Sequence, residues 1–224
     1  MSIQSLVKNT ENILLEMDSI CSGDLFILSS FSREDMIILH IMLSMGMKRD
    51  VVTIDTGRLY QETFEFMERI RDEWNVPIKF LFPDRNKVED MVDNFGPNLF
   101  YKSREMREMC CKIRKADPLK KILSERKGWI TGIRREQTSV RMNANHIEYS
   151  GRNVKCNPLL DWKYSDVMEY TLKNDIPENI LYKKGYKSIG CLPCTAPSEG
   201  ERDGRWWWED GVKECGIHRE EVMK

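Results

Sequence analysis

The segment Leu25-Phe26-Ile27-Leu28-Ser29-Ser30 is an apolar run of strand length that ends in two small hydroxyl residues. The same pattern recurs further along the chain, in Val51-Val52-Thr53-Ile54 before Asp55-Thr56-Gly57, in Ile78-Lys79-Phe80-Leu81-Phe82 before Pro83-Asp84, and in Trp129-Ile130 before Thr131-Gly132. Helical periodicity over roughly 34–45 and 60–74 separates the first three runs. Strands that alternate with helices in this way predict an α/β fold, whose mostly parallel sheet carries helices on both faces.

The carboxyl ends of parallel strands meet at one edge of a sheet, and ligands of such folds bind there. We therefore expect the polar residues that end these runs to converge on one site. Further helices are predicted over 3–17, over 102–116, where Pro118 ends or kinks the helix, and over 164–174. From Ser188 onward glycine, proline and charge increase. The pattern predicts one α/β domain over 1–190 and an irregular C-terminal segment over 191–224 that folds over it.

The bulk composition is that of a globular chain without a surplus of either charge. Hydrophobic residues make up 41% of the 224 residues, and Lys plus Arg total 35 against 36 Asp plus Glu. This balance argues against a nucleic-acid binder that relies on bulk charge. The chain contains no run of about 18 apolar residues, so we expect no membrane span. The first residues also lack the pattern of a secretory signal. Seven cysteines without such a signal predict a reducing cytoplasm, where thiols serve metals or catalysis.

Four of the seven cysteines form two pairs that are far apart in the sequence. Cys110 and Cys111 are adjacent, Cys191 and Cys194 form a C-x-x-C, and Cys215 stands alone near the C-terminus. Adjacent side chains on a helix point about 100° apart, so they do not readily share one small tetrahedral ion. An iron–sulfur cluster presents separate iron corners and accepts such a pair more easily. The pattern favours a cluster on the two pairs and leaves Cys215 for chemistry.

Simpler interpretations apply to several of these cysteines. A structural zinc site would use the same four thiolates, although zinc sites usually combine two C-x-x-C halves and only one is present. Cys21 and Cys156 lie next to apolar or strand-like sequence, and we expect both to pack in the core.

Groups suited to anions follow the predicted strands. The turn from Ser30 to Asp35 leads into a helix, whose first N–H groups bind anions, although Ser32 and Asp35 also match a simple capping box. In the turn Asp55-Thr56-Gly57-Arg58, the arginine would grip a phosphate and the aspartate would accept a hydrogen bond from a ribose or base. A purely structural strand-to-helix turn has the same composition.

Two arginine clusters add to this edge of the sheet. Arg134, Arg135 and Arg141 follow the fourth strand, where they either bind a multiply charged anion or form a solvated charge cluster. Arg202 and Arg205 precede three consecutive tryptophans. We expect the tryptophans to anchor the C-terminal segment to the domain, with both arginines aimed at the same anion.

In order and combination, these motifs resemble the assimilatory adenylyl-sulfate and phosphoadenylyl-sulfate reductases over about Asp24 to His218. The segments that carry the resemblance are Ser30-Phe31-Ser32 with Glu34-Asp35, Asp55-Thr56-Gly57-Arg58, Cys110-Cys111 with Arg114-Lys115, Thr131-Gly132-Ile133-Arg134-Arg135-Glu136-Gln137, Asn157-Pro158-Leu159, Ile189-Gly190-Cys191-Leu192-Pro193-Cys194-Thr195, Gly204-Arg205-Trp206-Trp207-Trp208 and Glu214-Cys215-Gly216-Ile217-His218. The resemblance implies a Rossmann-like adenine-nucleotide alpha-hydrolase (PP-loop) fold. Within the family, both cysteine pairs accompany a four-iron four-sulfur (4Fe-4S) cluster and usually a preference for adenylyl sulfate (APS) over its 3′-phosphorylated form (PAPS).

The resemblance also implies a reaction and a set of site residues. A cysteine, here Cys215, attacks the substrate sulfur, forms an enzyme S-sulfocysteine and releases AMP. Thioredoxin or a glutaredoxin-like dithiol protein then releases sulfite for cysteine biosynthesis. The implied cluster ligands are Cys110, Cys111, Cys191 and Cys194. The implied substrate-binding residues are Ser30, Phe31, Ser32, Glu34, Asp35, Asp55, Thr56, Gly57, Arg58, Lys115, Arg134, Arg135, Gln137, Arg202, Arg205 and His218.

Charge beside the first cysteine pair belongs to this expectation. Lys112, Arg114 and Lys115 follow Cys111 directly, and Lys115 matches the family position between cluster and substrate. Each unit charge pair there is worth roughly 3 kcal/mol at ~6 Å and an effective dielectric of ~20. We therefore expect the cluster to tune electrostatics and position the substrate, while thiol chemistry carries the two electrons.

Three alternatives stay open at this point. Arg33 adds a cation near the nucleotide, which would suit a PAPS reductase or one that accepts both substrates. A tRNA-thiolating enzyme of the same superfamily usually shows Ser-Gly-Gly-x-Asp-Ser, whereas this chain has Ser30-Phe31-Ser32-Arg33-Glu34-Asp35. A non-catalytic iron–sulfur sensor would use Cys215 only structurally. The sequence leaves homo-oligomerisation and the identity of the dithiol partner open.

Overall fold

A computed structural model describes residues 2–211, 213 and 214, and within them six strands form one sheet. The strands are β1 (Leu25–Leu28), β2 (Asp50–Ile54), β3 (Ile78–Leu81), β4 (Gly128–Ile130), β5 (Ile147–Ser150) and β6 (Asn153–Cys156). The α-helices are α1 (Ile3–Cys21), α2 (Arg33–Ser44), α3 (Gln61–Glu73), α4 (Arg85–Phe95), α5 (Arg104–Cys111), α6 (Asp117–Leu123) and α7 (Tyr164–Lys173). Short 3₁₀ segments lie at Leu99–Tyr101, Arg135–Gln137, Ser139–Asn143, Ile180–Lys184 and Leu192–Cys194. The α/β fold expected from the sequence is confirmed.

The strand order creates a crevice at the middle of the sheet. The order is β3-β2-β1-β4-β6-β5, with parallel pairing throughout except between β5 and β6. The chain moves outward from β1 to β3 and then returns to the other side of β1 with β4. Connections that leave two neighbouring strands in opposite directions open a crevice at the carboxyl ends. The turns after β1 and β4 flank that crevice.

Strand β1 is buried on both faces of the sheet. Leu25 and Ile27 belong to a buried cluster with residues of α1, α2 and α7, whereas Phe26 and Leu28 belong to another with residues of α6. Successive side chains of a strand point to opposite faces. The alternation therefore confirms that helices cover both faces.

The helix that carries Cys110 and Cys111 differs from the prediction of one helix over 102–116. Helix α5 ends at Cys111, a π-helical turn follows at Lys112–Ala116, and α6 continues to Leu123. Pro118 lies in the first turn of α6, where an N–H would have little intrahelical bonding to lose. The chain therefore stays helical past the proline, with the irregularity placed just after the cysteines.

The sequence analysis did not predict α4 or the hairpin of β5 and β6. Helix α4 begins after Asp84, whose carboxylate accepts a hydrogen bond from Lys87 N at 3.0 Å. The hairpin turns at Gly151, with φ of +57°, a conformation that glycine adopts without strain. Among residues 2–211, 213 and 214, no helix is both long and apolar enough to cross a membrane.

Candidate active site

A cleft of about 1200 Å³, counting the part open to solvent, lies at the carboxyl edge of the sheet. It is lined by residues that follow β1, β2 and β4 and by residues of the C-terminal segment. They include Ser30, Ser32, Glu34, Asp35, Thr56, Thr131, Gly132, Gln137, Glu201, Arg202 and Arg205. The strand ends singled out in the sequence thus meet at one cleft.

The turn after β1 is held in shape by Asp35. Its carboxylate accepts hydrogen bonds from Ser30 N at 2.7 Å, Ser30 Oγ at 3.0 Å and Ser32 N at 3.3 Å. Ser32 caps α2 in return, so the capping box is present beside the cleft. Burial of Asp35 raises the pKa of its carboxyl to about 6. A Cβ at Gly132, on the facing turn, would lie 2.6 Å from Asp35 Oδ1, so this close approach requires glycine.

Arg134 forms ion pairs with three glutamates. Its side chain is fully buried and donates to Glu34 at 2.9 Å, with further ion pairs to Glu136 and Glu201. It is not among the described residues that line the cleft, although Glu34 and Glu201 are. Phe31 also does not line the described cleft, because its side chain packs in the hydrophobic core. Arg134 therefore shapes the wall of the cleft through its partners.

Arg135 points away from its neighbour Arg134. It donates to Asp161 at 2.7 Å and to the Met142 carbonyl at 3.0 Å, and its side chain is 33% exposed. Gln137 and Arg141, further along the same segment, do line the cleft. Of the three arginines that are clustered in the sequence, Arg141 therefore lines the cleft, whereas Arg134 and Arg135 do not.

Basic side chains from several segments are among the described residues that line the cleft, namely Lys115, Arg141, Lys187, Arg202 and Arg205. Arg205 is buried, and its Nε has no hydrogen-bond partner among the described groups. Gly190 leaves room for it, because a Cβ there would overlap the guanidinium. Arg202 donates from Nε and Nη2 to the Lys213 carbonyl at 2.9 and 2.6 Å. The C-terminal segment thus brings positive charge to the sheet edge.

The turn after β2 lies between the cleft and the cysteines. Asp55 Oδ1 accepts a hydrogen bond from Gly57 N at 2.7 Å, and Gly57 has a φ of +69°, which favours glycine. Thr56 lines the cleft, and its Oγ1 lies 3.3 Å from Cys191 Sγ. Arg58 lines the cavity of the cysteines. This turn therefore contacts both sites.

A second cavity, of about 360 Å³, brings the two cysteine pairs together. Its walls contain Cys110, Cys111, Cys191 and Cys194 with Arg58, Arg107, Arg114, Lys115, Phe100, Pro193 and Trp206. In the described part of the chain, no three His, Cys, Asp or Glu side chains form a group that would hold a metal ion. Lys115 lines this cavity as well as the cleft.

Basic side chains and unpaired donors surround these thiols. Burial raises the pKa of Cys194 to about 12. Burial also disfavours the Cys191 thiolate, but Lys115 and the Thr56 hydroxyl outweigh it, so the pKa of Cys191 is lowered. Among the lining residues, Arg114 Nε and Trp206 Nε1 are buried with no hydrogen-bond partner in the described structure. Buried donors without an acceptor cost free energy, so the cavity suits an anionic group.

Two of the three tryptophans attach the C-terminal segment to the domain, as the sequence predicted, whereas Trp207 is exposed. The Arg107 guanidinium lies 4.4 Å from the ring centroid of buried Trp206 and donates to Glu209 at 2.9 and 2.8 Å. Trp208 packs on Tyr101, with ring centroids 4.5 Å apart. These contacts cover the cavity of the cysteines with the C-terminal segment.

Two predicted site residues, Cys215 and His218, lie outside the described residues. Cys21 and Cys156 are both buried, as expected. The sequence analysis missed Lys187, which lines the cleft. Its only signal was its position shortly before the C-x-x-C, because it belongs to no helical or strand pattern.

Comparison with known proteins defines the class. Residues 24–197 match the family model described as phosphoadenosine phosphosulfate reductase domain. A phosphoadenylyl-sulfate reductase from Candida auris, solved as a phosphate complex, superposes with a TM-score of 0.69 over 88% of this chain and 98% of that chain. At 22% sequence identity this likeness shows a shared fold. The chain therefore has the α/β fold of this class of nucleotide-binding reductase domains.

Sequence relatives show which reductases of this class the chain is similar to. An adenosine 5′-phosphosulfate reductase from Burkholderia cepacia is 42% identical over 196 residues, which cover 85% of this chain and 78% of the relative. Another, from Neisseria meningitidis serogroup A, is 39% identical over 224 residues, covering 96% and 92%. This chain belongs to the phosphoadenosine phosphosulfate reductase family, and these relatives within it are adenosine 5′-phosphosulfate reductases.

Proposed function

We propose that this chain reduces adenylyl sulfate to sulfite and AMP in assimilatory sulfate reduction. The observation that carries the proposal is the shared wall of the two cavities, because Lys115 lines both the cleft and the cavity of the four cysteines. The names of the relatives support the substrate. Thiol chemistry needs a reducing compartment, so we assign the protein to the cytoplasm.

The proposed reaction is a two-step exchange at the substrate sulfur. The Cys215 thiolate forms a bond to that sulfur, the S–O bond to the nucleotide phosphate breaks, and AMP leaves with the bonding electrons. A thiolate of thioredoxin or a similar donor then attacks Cys215 Sγ, and sulfite leaves with the electron pair. The donor's second thiol closes its disulfide and regenerates Cys215. The donor dithiol thus supplies both electrons.

Binding is assigned to side chains that reach the cleft. We place the phosphosulfate against Lys115, Arg202 and Arg205, since guanidinium and ammonium groups stabilise charge that builds on the leaving phosphate. The turns after β1 and β2 hold the nucleoside. Arg134 supports the site through Glu34.

Cys110, Cys111, Cys191 and Cys194 would hold a 4Fe-4S cluster in the second cavity. The donor set fits, because four thiols from two segments line one cavity together with four basic side chains and two buried N–H groups that have no partner among the described groups. When bound, the cluster supplies negative charge beside Lys115. Lys115, which lines both cavities, would position the anionic substrate next to it.

The placement of Arg33 bears on the choice between APS and PAPS. Arg33 forms an ion pair with Glu178, donates to Tyr164 Oη at 3.1 Å and lies 3.9 Å from the centroid of the Tyr182 ring. It is not among the described residues that line the cleft. A cation engaged in this way is poorly placed for a 3′-phosphate, and this favours adenylyl sulfate over the alternative of a dual-specificity enzyme.

The test is sulfite formation by anaerobically purified protein with thioredoxin, compared between APS and PAPS. We expect sulfite from APS, a strong preference for APS over PAPS, and no sulfite from the Cys215→Ser variant. Equal rates with both substrates would support the dual-specificity alternative. No sulfite from either substrate would leave the tRNA-thiolating enzyme or the iron–sulfur sensor as the better assignment.

A further inference from the structure

One lysine of the cleft wall carries a charge that the protein leaves uncompensated. Lys187 lines the cleft and is half-buried. Within residues 2–211, 213 and 214, its ammonium group makes no hydrogen bond or ion pair. Lys184, three residues earlier, shows the contrast, because it forms an ion pair with Glu62 at 2.6 Å. Lys187 therefore offers a free positive charge to the cleft.

The backbone that carries Lys187 is held on both sides of it. The ring of the preceding residue, Tyr186, packs on Tyr60 with centroids 5.4 Å apart. Further along, Leu192 N donates to the Arg58 carbonyl at 2.8 Å. The fold therefore keeps this lysine at the cleft wall.

Arg205 is a second cleft cation without a hydrogen-bond or ion-pair partner among the described residues. Its side chain is buried, including the Nε. Gly190 approaches it so closely that a Cβ there would overlap the guanidinium. Gly190 follows Lys187 by three residues, a stretch that spans at most about 11 Å. The two cations therefore lie on the same part of the cleft wall.

The acidic side chains that line the described cleft are engaged by other groups. Glu34 and Glu201 both accept a hydrogen bond from Gln137 Nε2, at 3.0 and 3.3 Å. Both also form ion pairs with Arg134. The Asp35 carboxylate accepts hydrogen bonds within the turn after β1. Like charges repel each other, so an anion that enters the cleft would offset the two cations that these carboxylates leave unpaired.

We propose that Lys187 binds an oxyanion of the nucleotide substrate, together with Arg205. The ligand chemistry is a phosphate or sulfate group, because an ammonium donates charge-assisted hydrogen bonds to such oxygens. The group belongs either to the 5′-phosphosulfate or to a 3′-phosphate. The inference rests on the proposed function, since it takes a sulfonucleotide as the ligand. It adds a binding residue that the family resemblance did not imply.

The test compares Lys187→Met with Lys183→Met in the anaerobic holoenzyme, in a Cys215→Ser background chosen to prevent turnover. Methionine keeps much of the aliphatic stem and removes the charge. Lys183 is exposed and is not among the described residues that line the cleft, so it is a matched control. Isothermal titration measures the affinities for adenosine, AMP, APS and adenosine 3′,5′-bisphosphate. Lys187→Met should weaken at least one of the three charged ligands about tenfold, as the loss of one charge-assisted hydrogen bond implies.

The choice of ligands identifies the oxyanion. An equal loss for all three charged ligands assigns the 5′-phosphate, a loss for APS alone assigns the sulfate, and a loss confined to the bisphosphate assigns the 3′-phosphate. Adenosine carries no oxyanion and should bind Lys187→Met as it binds the parent protein. Lys187→Arg, which keeps the charge, should keep most of the affinity. Lys183→Met should bind all four ligands like the parent.

Unchanged affinity of Lys187→Met for all three charged ligands would overturn the inference. An equal loss in Lys183→Met would do the same, because it would reduce the effect to overall charge. A loss for adenosine as large as that for the charged ligands would show a purely structural role and would also overturn it. The proposed function fails in a different way, since the wild-type protein then makes no sulfite from APS.

Discussion

Replacing Arg205 by methionine should weaken the binding of adenylyl sulfate while leaving the fold in place. Arg205 is buried at the cleft wall, and its guanidinium lies 5.2 Å from the ring centroid of Trp206. Methionine keeps much of the aliphatic volume of the arginine stem, so Trp206 keeps an apolar neighbour. The backbone bridge between Arg205 and Thr195 does not depend on the side chain. The substitution therefore removes mainly the charge.

The magnitude follows from the state of the guanidinium. Its Nε is buried without a partner among the described groups, so a substrate oxyanion would meet a donor that is already desolvated. A hydrogen bond to a charged group contributes about 1.5–3 kcal/mol. Losing one such bond should raise the dissociation constant about 10- to 150-fold, since each 1.4 kcal/mol is a factor of about ten.

Arg135→Met is the matched control for this measurement. Arg135 is also an arginine at the end of the sheet, but it pairs with Asp161 and is partly exposed. Isothermal titration of AMP and APS should be made in a Cys215→Ser background, where no turnover occurs. Arg135→Met should bind like the parent protein. Unchanged affinity in Arg205→Met, or an equal loss in Arg135→Met, would refute the assignment of the phosphosulfate.

Three further predictions concern the buried carboxyl and the cysteines. Burial raises the pKa of Asp35 from 3.8 to about 6. The stability that its protonated carboxyl contributes is therefore full below the unfolded pKa, and it falls by roughly 3 kcal/mol as pH rises through 6. Denaturant titrations from pH 4 to 7 should show this decline in the wild type and not in Asp35→Asn. Cys110→Ser should lose iron and acid-labile sulfide together, whereas stoichiometric zinc without sulfide in the wild type would exclude the cluster. Cys215→Ser should keep the iron and bind AMP normally but make no sulfite, and residual turnover would contradict its role as nucleophile.

The strand ends could be placed from the sequence because their signal is local. An apolar run followed by small polar residues marks the end of β1 or β4 without knowledge of any distant residue. The topology then brings those ends together, as parallel sheets do. The proximity of Cys110 and Cys111 to the C-x-x-C could also be predicted, because two cysteine pairs at this spacing are a sequence signal for a shared metal site.

The directions of the arginines could not be predicted in the same way. Arg134 is held by Glu34 and Glu201, which lie 100 and 67 residues away along the chain. No local sequence pattern predicts partners that are so far apart along the chain. The ion pair between Arg141 and Glu214 could not be predicted for the same reason, since the two residues are 73 positions apart along the chain.

The two cavities are mechanically linked by the segments that carry the cysteines. Arg114 Nη1, just after Cys111, donates to the Thr56 carbonyl at 2.7 Å, and the Thr56 hydroxyl lies 3.3 Å from Cys191 Sγ. Both cysteine pairs are thus tied to the turn after β2. Lys115 follows in the same π-helical turn as Arg114 and reaches the cleft. Thr56 and Lys115 thus line the cleft and also contact or line the cysteine cavity. Arg202 donates hydrogen bonds to the Lys213 carbonyl, and these bonds do not involve Thr56 or Lys115. The cysteine cavity should accordingly act on the cleft through the lysine and the threonine.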